Sequence, residues 1–357
     1  MRSLLITLEY PPMIGGVSNY YQNIHGHWPD NDGLNVLDNS KKQLVNNGLI
    51  LFKWLPSVYN LYFSIKKYKL QHIFVGQILP LGYSAYLMKK ILNTDYSVFI
   101  HGMDYAFAQR TGRKKRTARK ILFMSKNIIC SNHYVADLIA KDHPNLLAKI
   151  IVANPGVAAP NEFQRFELSD FDQRLKNKKI ILTIARLVKR KGMDNVIKAM
   201  SAVSKRFSDA VYVIAGEGTD RSYLEELSLE LKDKVIFLGK ISDYQKWFLL
   251  QQCDFFIMTS RNIQGDFEGF GIVYLEANLC RKPVIAGNEG GESDAVANGH
   301  SGILVDPRNT EEIAEAMVKL LSDDDLRSEL GEKSRKRAIE KFNWDNIVND
   351  LYIKLKI

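Results

Sequence analysis

Cysteine is scarce in this chain: three residues in 357, Cys130, Cys253 and Cys280, far apart and each inside an apolar run. Such thiols read as reduced core residues, which excludes a disulfide-stapled scaffold and gives no metal site. Long apolar runs are missing too, since no stretch approaches the roughly 20 residues that span a bilayer. The sequence runs straight into a strand-like Leu4-Leu5-Ile6 without a basic leader and apolar core, so the expectation is a protein neither secreted nor integral to a membrane. A full G-x-G-x-x-G is absent, and Ala215-Gly216-Glu217-Gly218 reads as no more than a tight turn, which counts against a nicotinamide-dependent dehydrogenase. No helix-turn-helix, zinc or RNA-binding signature is present, and no low-complexity tract or internal repeat stands out.

What is there is an ordinary soluble composition, 46% hydrophobic and 25% charged, with enough length for two domains that each hold a full core. The net charge of +9 is unevenly placed. Residues 1–165 carry 20 Lys and Arg against 9 Asp and Glu, whereas residues 166–357 carry 29 against 31. A basic first half implies an anionic partner, with nucleic acid and anionic lipid headgroups both open on charge alone.

Short β-type runs at 3–8, 34–38, 49–54, 72–76, 96–101, 127–130 and 149–153 alternate with helical stretches near 17–27, 57–69, 80–92, 103–124 and 132–142. Residues 158–178 lack an apolar period and read as a linker. The alternation then resumes, with strands near 180–185, 210–215, 235–239, 254–259, 283–287 and 302–305 and helices near 192–206, 220–231, 243–252 and 272–281. Residues 309–357 are nearly all helical, with Ser322-Asp323-Asp324 as a cap. The pattern predicts an α/β chain of two Rossmann-like, doubly wound parallel-sheet domains facing a cleft, with ligands at the carboxyl ends of strands.

The stretch Glu268-Gly-Phe-Gly-Ile-Val-Tyr-Leu-Glu276 stands out. Two carboxylates bracket a glycine-loosened turn that runs into an apolar helix, and the first amides there, of Gly271, Ile272 and Val273, suit a phosphate. Carboxylates repel phosphate, so the glutamates are expected to face hydroxyls; the plain alternative is a helix start with acids favoured by its dipole. Arg186 and Lys191 follow a strand end where a phosphate would sit, or belong to a solvated basic loop. Gly15-Gly16 before a helix is a second amide-lined surface. His101 ends an apolar strand. Asp30-Asn31-Asp32 has the short Asp-x-Asp pattern of metal-holding nucleotide-sugar enzymes, but Pro29 and Gly33 make it a surface turn, and no metal is predicted. Arg110 to Lys120, with Tyr59, Tyr62, Phe63 and Tyr68 interleaved with Lys66, Lys67 and Lys69, suits an anionic membrane surface.

Together these residues resemble the GT-B glycosyltransferases, specifically the retaining family-4 type that includes the phosphatidylinositol mannosyltransferases. The resemblance covers essentially the whole chain, through Pro11-Pro12 with Gly15-Gly16, His101-Gly102, Asn154-Pro-Gly-Val157, Arg186 with Lys191, Glu268-Gly-Phe-Gly to Glu276, and Pro283-Val-Ile-Ala-Gly with Gly290-Gly291. It implies that Arg186 and Lys191 bind a donor diphosphate with amides of Gly16, Ile272 and Val273. Glu276 would hold the ribose, Glu268 the transferred sugar, and His101 the sugar from the first domain. Backbone at Lys240 and Ile241 would meet the base, and Gly15, Phe270 and Gly271 complete the donor set.

The implied domains are 1–165 on the acceptor side and 166–341 for the donor, with a helix about 342–357, including Phe342-Asn343-Trp344, crossing back onto the first. Family members continue Gly-Gly with a proline and a glutamate, whereas Glu292-Ser293-Asp294 follows here. The long Ser260 to Asp266 loop is similar to the mannosyltransferase branch.

The expected reaction is hexose transfer from a GDP- or UDP-linked sugar to a hydroxyl of a lipid-linked or glycolipid acceptor, with the anomeric configuration kept and no metal or other cofactor. The expected setting is bacterial glycan synthesis such as lipopolysaccharide, O-antigen or glycolipid, in the cytoplasm at the inner face of the membrane, with no nucleic-acid partner. A GT-B epimerase or phosphorylase, and a silent sugar-nucleotide- or membrane-binding protein, are the alternatives.

Overall fold

Two six-stranded sheets, both wholly parallel, form the framework. A computed structural model of the chain describes residues 2–13, 15–29, 33–45, 53–159 and 173–355. Contacts divide it into one unit of residues 1–156 with 344–357 and another of 157–343. Among the described residues, no helix is long and apolar enough to cross a membrane.

The first unit carries strands β1 (Ser3–Ile6), β2 (Leu34–Leu37), β3 (His72–Val75), β4 (Asp95–Ile100), β5 (Ile128–Cys130) and β6 (Ile150–Val152), in the order β2-β1-β3-β4-β5-β6. β1 and β3 are buried along their whole length, as parallel strands covered on both faces must be. Helices α1 (Gly16–Gly26), α2 (Leu55–Tyr68), α3 (Leu81–Leu92), α4 (Met103–Gln109), α5 (Gly112–Met124) and α6 (His133–Asp142) connect them. The single helix expected over 103–124 is two, because Thr111 leaves helical geometry and caps α5 by accepting from the Lys114 amide at 3.3 Å. Most of the strand expected at 49–54, all of Asp30-Asn31-Asp32 and most of the expected linker fall outside the described residues.

The helix Trp344–Leu355 also belongs to this unit. Its Trp344, Val348, Leu351 and Leu355 lie in one core with Leu5, Tyr20, Tyr21, Phe74 and Phe99. A side chain on Gly156 would place Cβ 2.7 Å from the Trp344 indole, so glycine in Asn154-Pro-Gly-Val157 is what lets Trp344 approach the backbone.

The second unit holds β7 (Lys179–Ile184), β8 (Ala210–Ala215), β9 (Val235–Gly239), β10 (Phe255–Met258), β11 (Val284–Gly287) and β12 (Gly302–Val305), in the order β12-β11-β10-β7-β8-β9. Its helices are α7 (Met193–Arg206), α8 (Arg221–Leu227), α9 (Asp243–Gln252), α10 (Ile272–Leu279), α11 (Glu292–Ala295), α12 (Thr310–Ser322) and α13 (Asp324–Lys341). Met193, Val196, Ile197, Met200 and Val203 of α7 form a buried stripe at helical spacing. They meet Ile313, Met317, Leu320 and Leu321 of α12 in the same core, and burying each such side chain stabilises the fold by about 1.5–3 kcal/mol. The α8 stretch ends early, at Leu227, where a 3₁₀ segment follows. Asp323 caps α13 by accepting from the Leu326 amide at 2.8 Å.

Candidate active site

In the second unit the strand order reverses between β7 and β10, and a crevice for ligands opens at the carboxyl ends of strands at such a point. β7 leads into Arg186 to Lys191, and β10 leads into the loop that carries Glu268. Gly192 lets the two meet. Its φ is +76°, and a Cβ there would lie 1.9 Å from the Thr259 carbonyl oxygen, so the segment 189–192 lies directly against the end of β10.

This contact delivers two cations to one carboxylate. Lys191 Nζ donates to Glu268 Oε2, and Arg190 Nη1 donates to the same oxygen at 2.9 Å. Arg190 Nε lies 2.9 Å from Asp266 Oδ1. The side chains of Arg190, Lys191 and Glu268 are only 11–12% exposed. Burial pushes the Glu268 carboxyl up, but Lys191 and Arg190 together outweigh it and hold the group below its ordinary range.

Gly271 begins α10 at φ +80°, where a Cβ would fall 2.3 Å from the Tyr274 ring. Tyr274 is itself pinned by donating to the Met258 carbonyl at 2.6 Å. The leading amides of α10, at Ile272 and Val273, thus sit at a helix start whose geometry only glycine permits. Phe270 beneath is 4% exposed and packs on Phe342 at 5.7 Å. Glu276, on the fifth residue of α10, accepts from Lys246 Nζ of α9 at 2.7 Å. Arg186 is exposed, and its guanidinium has no hydrogen bond or ion pair among the described residues. Lys240 and Ile241 follow β9 directly, Lys240 exposed.

Glu292 lies close by, fully buried, with neither carboxyl oxygen hydrogen-bonded among the described residues. A Cβ on Gly290 would sit 2.7 Å from both Glu292 Oε2 and the Glu268 carbonyl oxygen. Burial pushes the Glu292 carboxyl up to about 8, with the nearby Glu268 charge adding to the rise.

In the first unit, α1 starts at Gly16 after an extended Gly15, and nothing lies within 4 Å of where a Cβ on either would be. His101 follows β4 at its carboxyl end. Tyr21 Oη donates to the Gly76 carbonyl and lies 2.8 Å from His101 Nε2. With the Tyr21 hydrogen already committed, Nε2 must carry a proton and donate, which leaves Nδ1 as an acceptor. Burial lowers the imidazole to about 4, so the ring is neutral near pH 7. Asp104 Oδ1 accepts from the amides of His101 and Gly102, each at 3.0 Å, and orders this turn.

Arg190, Lys246 and Tyr21 carry no site signal in the sequence beyond the basic run that holds Arg190, whereas Glu292 is marked there only as a departure from the family's continuation after Gly290-Gly291.

Residues 165–337 match the family described as Glycosyl transferases group 1. The GDP-mannose-dependent monoacylated alpha-(1-6)-phosphatidylinositol monomannoside mannosyltransferase of Corynebacterium glutamicum is 26% identical over 96% of this chain and 95% of its own. The chain is a glycosyltransferase of the GT-B fold. A second relative, the GDP-mannose-dependent alpha-(1-6)-phosphatidylinositol monomannoside mannosyltransferase of Mycobacterium tuberculosis, is 32% identical, over only 50% of this chain and 47% of its own. Among solved structures, Anabaena HepE in complex with UDP superposes with a TM-score of 0.77 at 19% identity, over 100% of both chains. At that identity the likeness speaks for the fold. In this glycosyltransferase the Lys191–Glu268–Arg190 cluster and the start of α10 both lie within the matched segment.

Proposed function

We propose that this glycosyltransferase moves a hexose from a GDP- or UDP-linked sugar to a hydroxyl of a lipid-linked acceptor, with retention of anomeric configuration and without a metal. The carrying observation is the buried Glu268 carboxylate held by Lys191 and Arg190. In this reading Arg186, Lys191 and the amides of Ile272 and Val273 stabilise the charge that develops on the leaving diphosphate, as preorganised donors do. Gly15 and Gly16 offer further amides. Phe270 and Gly271 shape the turn, Glu276 holds ribose hydroxyls, and backbone at Lys240 and Ile241 meets the base.

A carboxylate bound by two cations is a poor nucleophile, so Glu268 is assigned to hydroxyls of the transferred sugar. His101 offers Nδ1 as an acceptor for a ligand hydroxyl. The leaving phosphate then assists deprotonation of the acceptor on the same face, which yields retention.

The relative from Corynebacterium, named for GDP-mannose and a phosphatidylinositol mannoside, favours GDP-mannose and a glycolipid acceptor, in glycolipid or lipopolysaccharide assembly. The basic first unit supports peripheral attachment to the inner face of the cytoplasmic membrane. On α2, Tyr59, Phe63 and Tyr68 are 63%, 51% and 43% exposed, and Lys66, Lys67 and Lys69 beside them are exposed as well. Each cation near an anionic leaflet contributes about 1 kcal/mol.

Incubation with GDP-mannose, UDP-glucose and other nucleotide sugars, lipid extract and EDTA tests the whole reading. Transfer with an α-linked product by NMR is expected from an α-linked donor. Inversion, or activity that EDTA abolishes and manganese restores, would remove the corresponding part.

A further inference from the structure

An open groove of about 550 Å³ in the second unit has Lys189, Lys198, Arg261 and Arg308 in its walls, together with Asp194, Asn195 and Gln264. None of Arg186, Lys191, Glu268 and Glu276 lines it. Four cations and one carboxylate thus line it, and a second carboxylate, Glu289, lies against Arg308. Arg261 is 5% exposed and donates to Asp194 Oδ2 at 2.8 Å, so its guanidinium is held in place. Arg308 is paired with Glu289 at 2.7 Å. Lys189 and Lys198 are exposed and have no acidic partner among the described residues; Lys198 only reaches Asn195 Oδ1, at 3.5 Å. Arg261 and Arg308 are thus each neutralised by a carboxylate, and only the positive charge of Lys189 and Lys198 is left uncompensated among the described residues.

Its wall also stores strain. Ile263 and Asp266 close a two-residue turn whose central residues, Gln264 and Gly265, have φ of +53° and +88°. Such a turn favours Asn or Gly, and a residue with a Cβ in this region costs about 1–2 kcal/mol. Gln264 lines the groove.

We propose that this groove binds an anionic sugar, a hexose phosphate or a uronate. Lys189 and Lys198 match one anionic group, the carboxamide of Gln264 matches hydroxyls, and the volume lies in the range of small-molecule sites. One backbone bond ties it to the reacting centre, since the Arg261 amide donates to the Arg190 carbonyl at 2.8 Å and Arg190 holds Glu268. The occupant is therefore placed to act as an effector of donor binding, a step that rests on the reading of Glu268 above, whereas binding itself does not.

Calorimetric titration of the full chain with glucose 6-phosphate and with glucuronate, in excess GDP and UDP to fill the donor site, tests binding without needing turnover. At least one is expected to bind at least tenfold more tightly than glucose or inorganic phosphate. Lys189→Glu and Lys198→Glu, both at exposed positions, should each weaken it tenfold or more without lowering Tm. No binding by either sugar, equal binding of phosphate alone, or wild-type binding by both variants overturns the site. Where binding holds, a donor KM that the bound sugar changes less than twofold overturns the effector role alone.

Discussion

The ammonium of Lys191 donates to Oε2 of Glu268 where both side chains are only 12% exposed, 77 residues apart in the chain. The two groups that the resemblance assigns to different parts of a donor are thus hydrogen-bonded to each other. Glu268 is ionised and oriented by this pairing.

Replacing Lys191 by alanine removes one of the preorganised charges, and loss of one such donor lowers kcat by about 10²–10³-fold. Arg190 still pairs with Glu268 at 2.9 Å, so the variant should fold, with Tm measured alongside turnover. A wild-type rate at saturating donor would show that Lys191 has no part in the diphosphate site.

Glu292 makes stability depend on pH. Its carboxyl is raised from 4.5 to about 8 by burial, so between those values the folded chain binds a proton that the unfolded chain has lost, and stability falls as pH rises through the window. Glu292→Gln cannot ionise. The variant should exceed wild type in Tm by several degrees above pH 8, with the gain shrinking toward pH 4.5, as thermal melts across pH will read. A constant difference at all pH values refutes the assignment.

His101 should titrate near pH 4 and remain neutral with its proton on Nε2 in the neutral range. Because the folded group binds its proton more weakly than the unfolded one, this site adds stability as pH rises from about 4 to 6.5. Nitrogen chemical shifts of labelled imidazole report both features. A titration above pH 6, or a proton on Nδ1, contradicts the hydrogen-bond chain through Tyr21 to Gly76.

Gly271→Ala should destabilise the second unit. The left-handed backbone alone costs an L-residue about 1–2 kcal/mol, and the new Cβ would meet the Tyr274 ring at 2.3 Å. Denaturant unfolding measures the loss; a variant within error of wild type would mean that the turn is not as described.

Strand and helix positions were widely legible because parallel strands are local apolar runs. β8, β9, β12 and α9 fall at the residues expected, most of the other elements shift by a few residues, and the strand expected at 49–54 lies mostly outside the described residues. The break in the 103–124 helix is not legible in the sequence because Thr111 interrupts no apolar period. The glycine-rich start of α10 was legible from Gly269 and Gly271, whose spacing marks a turn whatever the fold.

Sequence by itself therefore determined two doubly wound sheets, the placement of Arg186, Lys191 and His101 just past strand ends, and the Glu268 to Glu276 turn, all of which are written in contiguous residues. Tertiary structure alone decided the partners of Lys191, Glu268, Glu276 and His101 and the charge states of Glu268 and His101. Arg190 reaches Glu268 only because Gly192 lets its segment touch the end of β10. Lys246 meets Glu276 across 30 residues, and Tyr21 meets His101 across 80. Glu292 is an ordinary acidic residue in the sequence, and complete burial without a hydrogen-bond partner among the described residues turns it into a neutral acid. Ionisation depends on desolvation and on neighbouring charge, and both are set by contacts between residues that the linear chain keeps far apart.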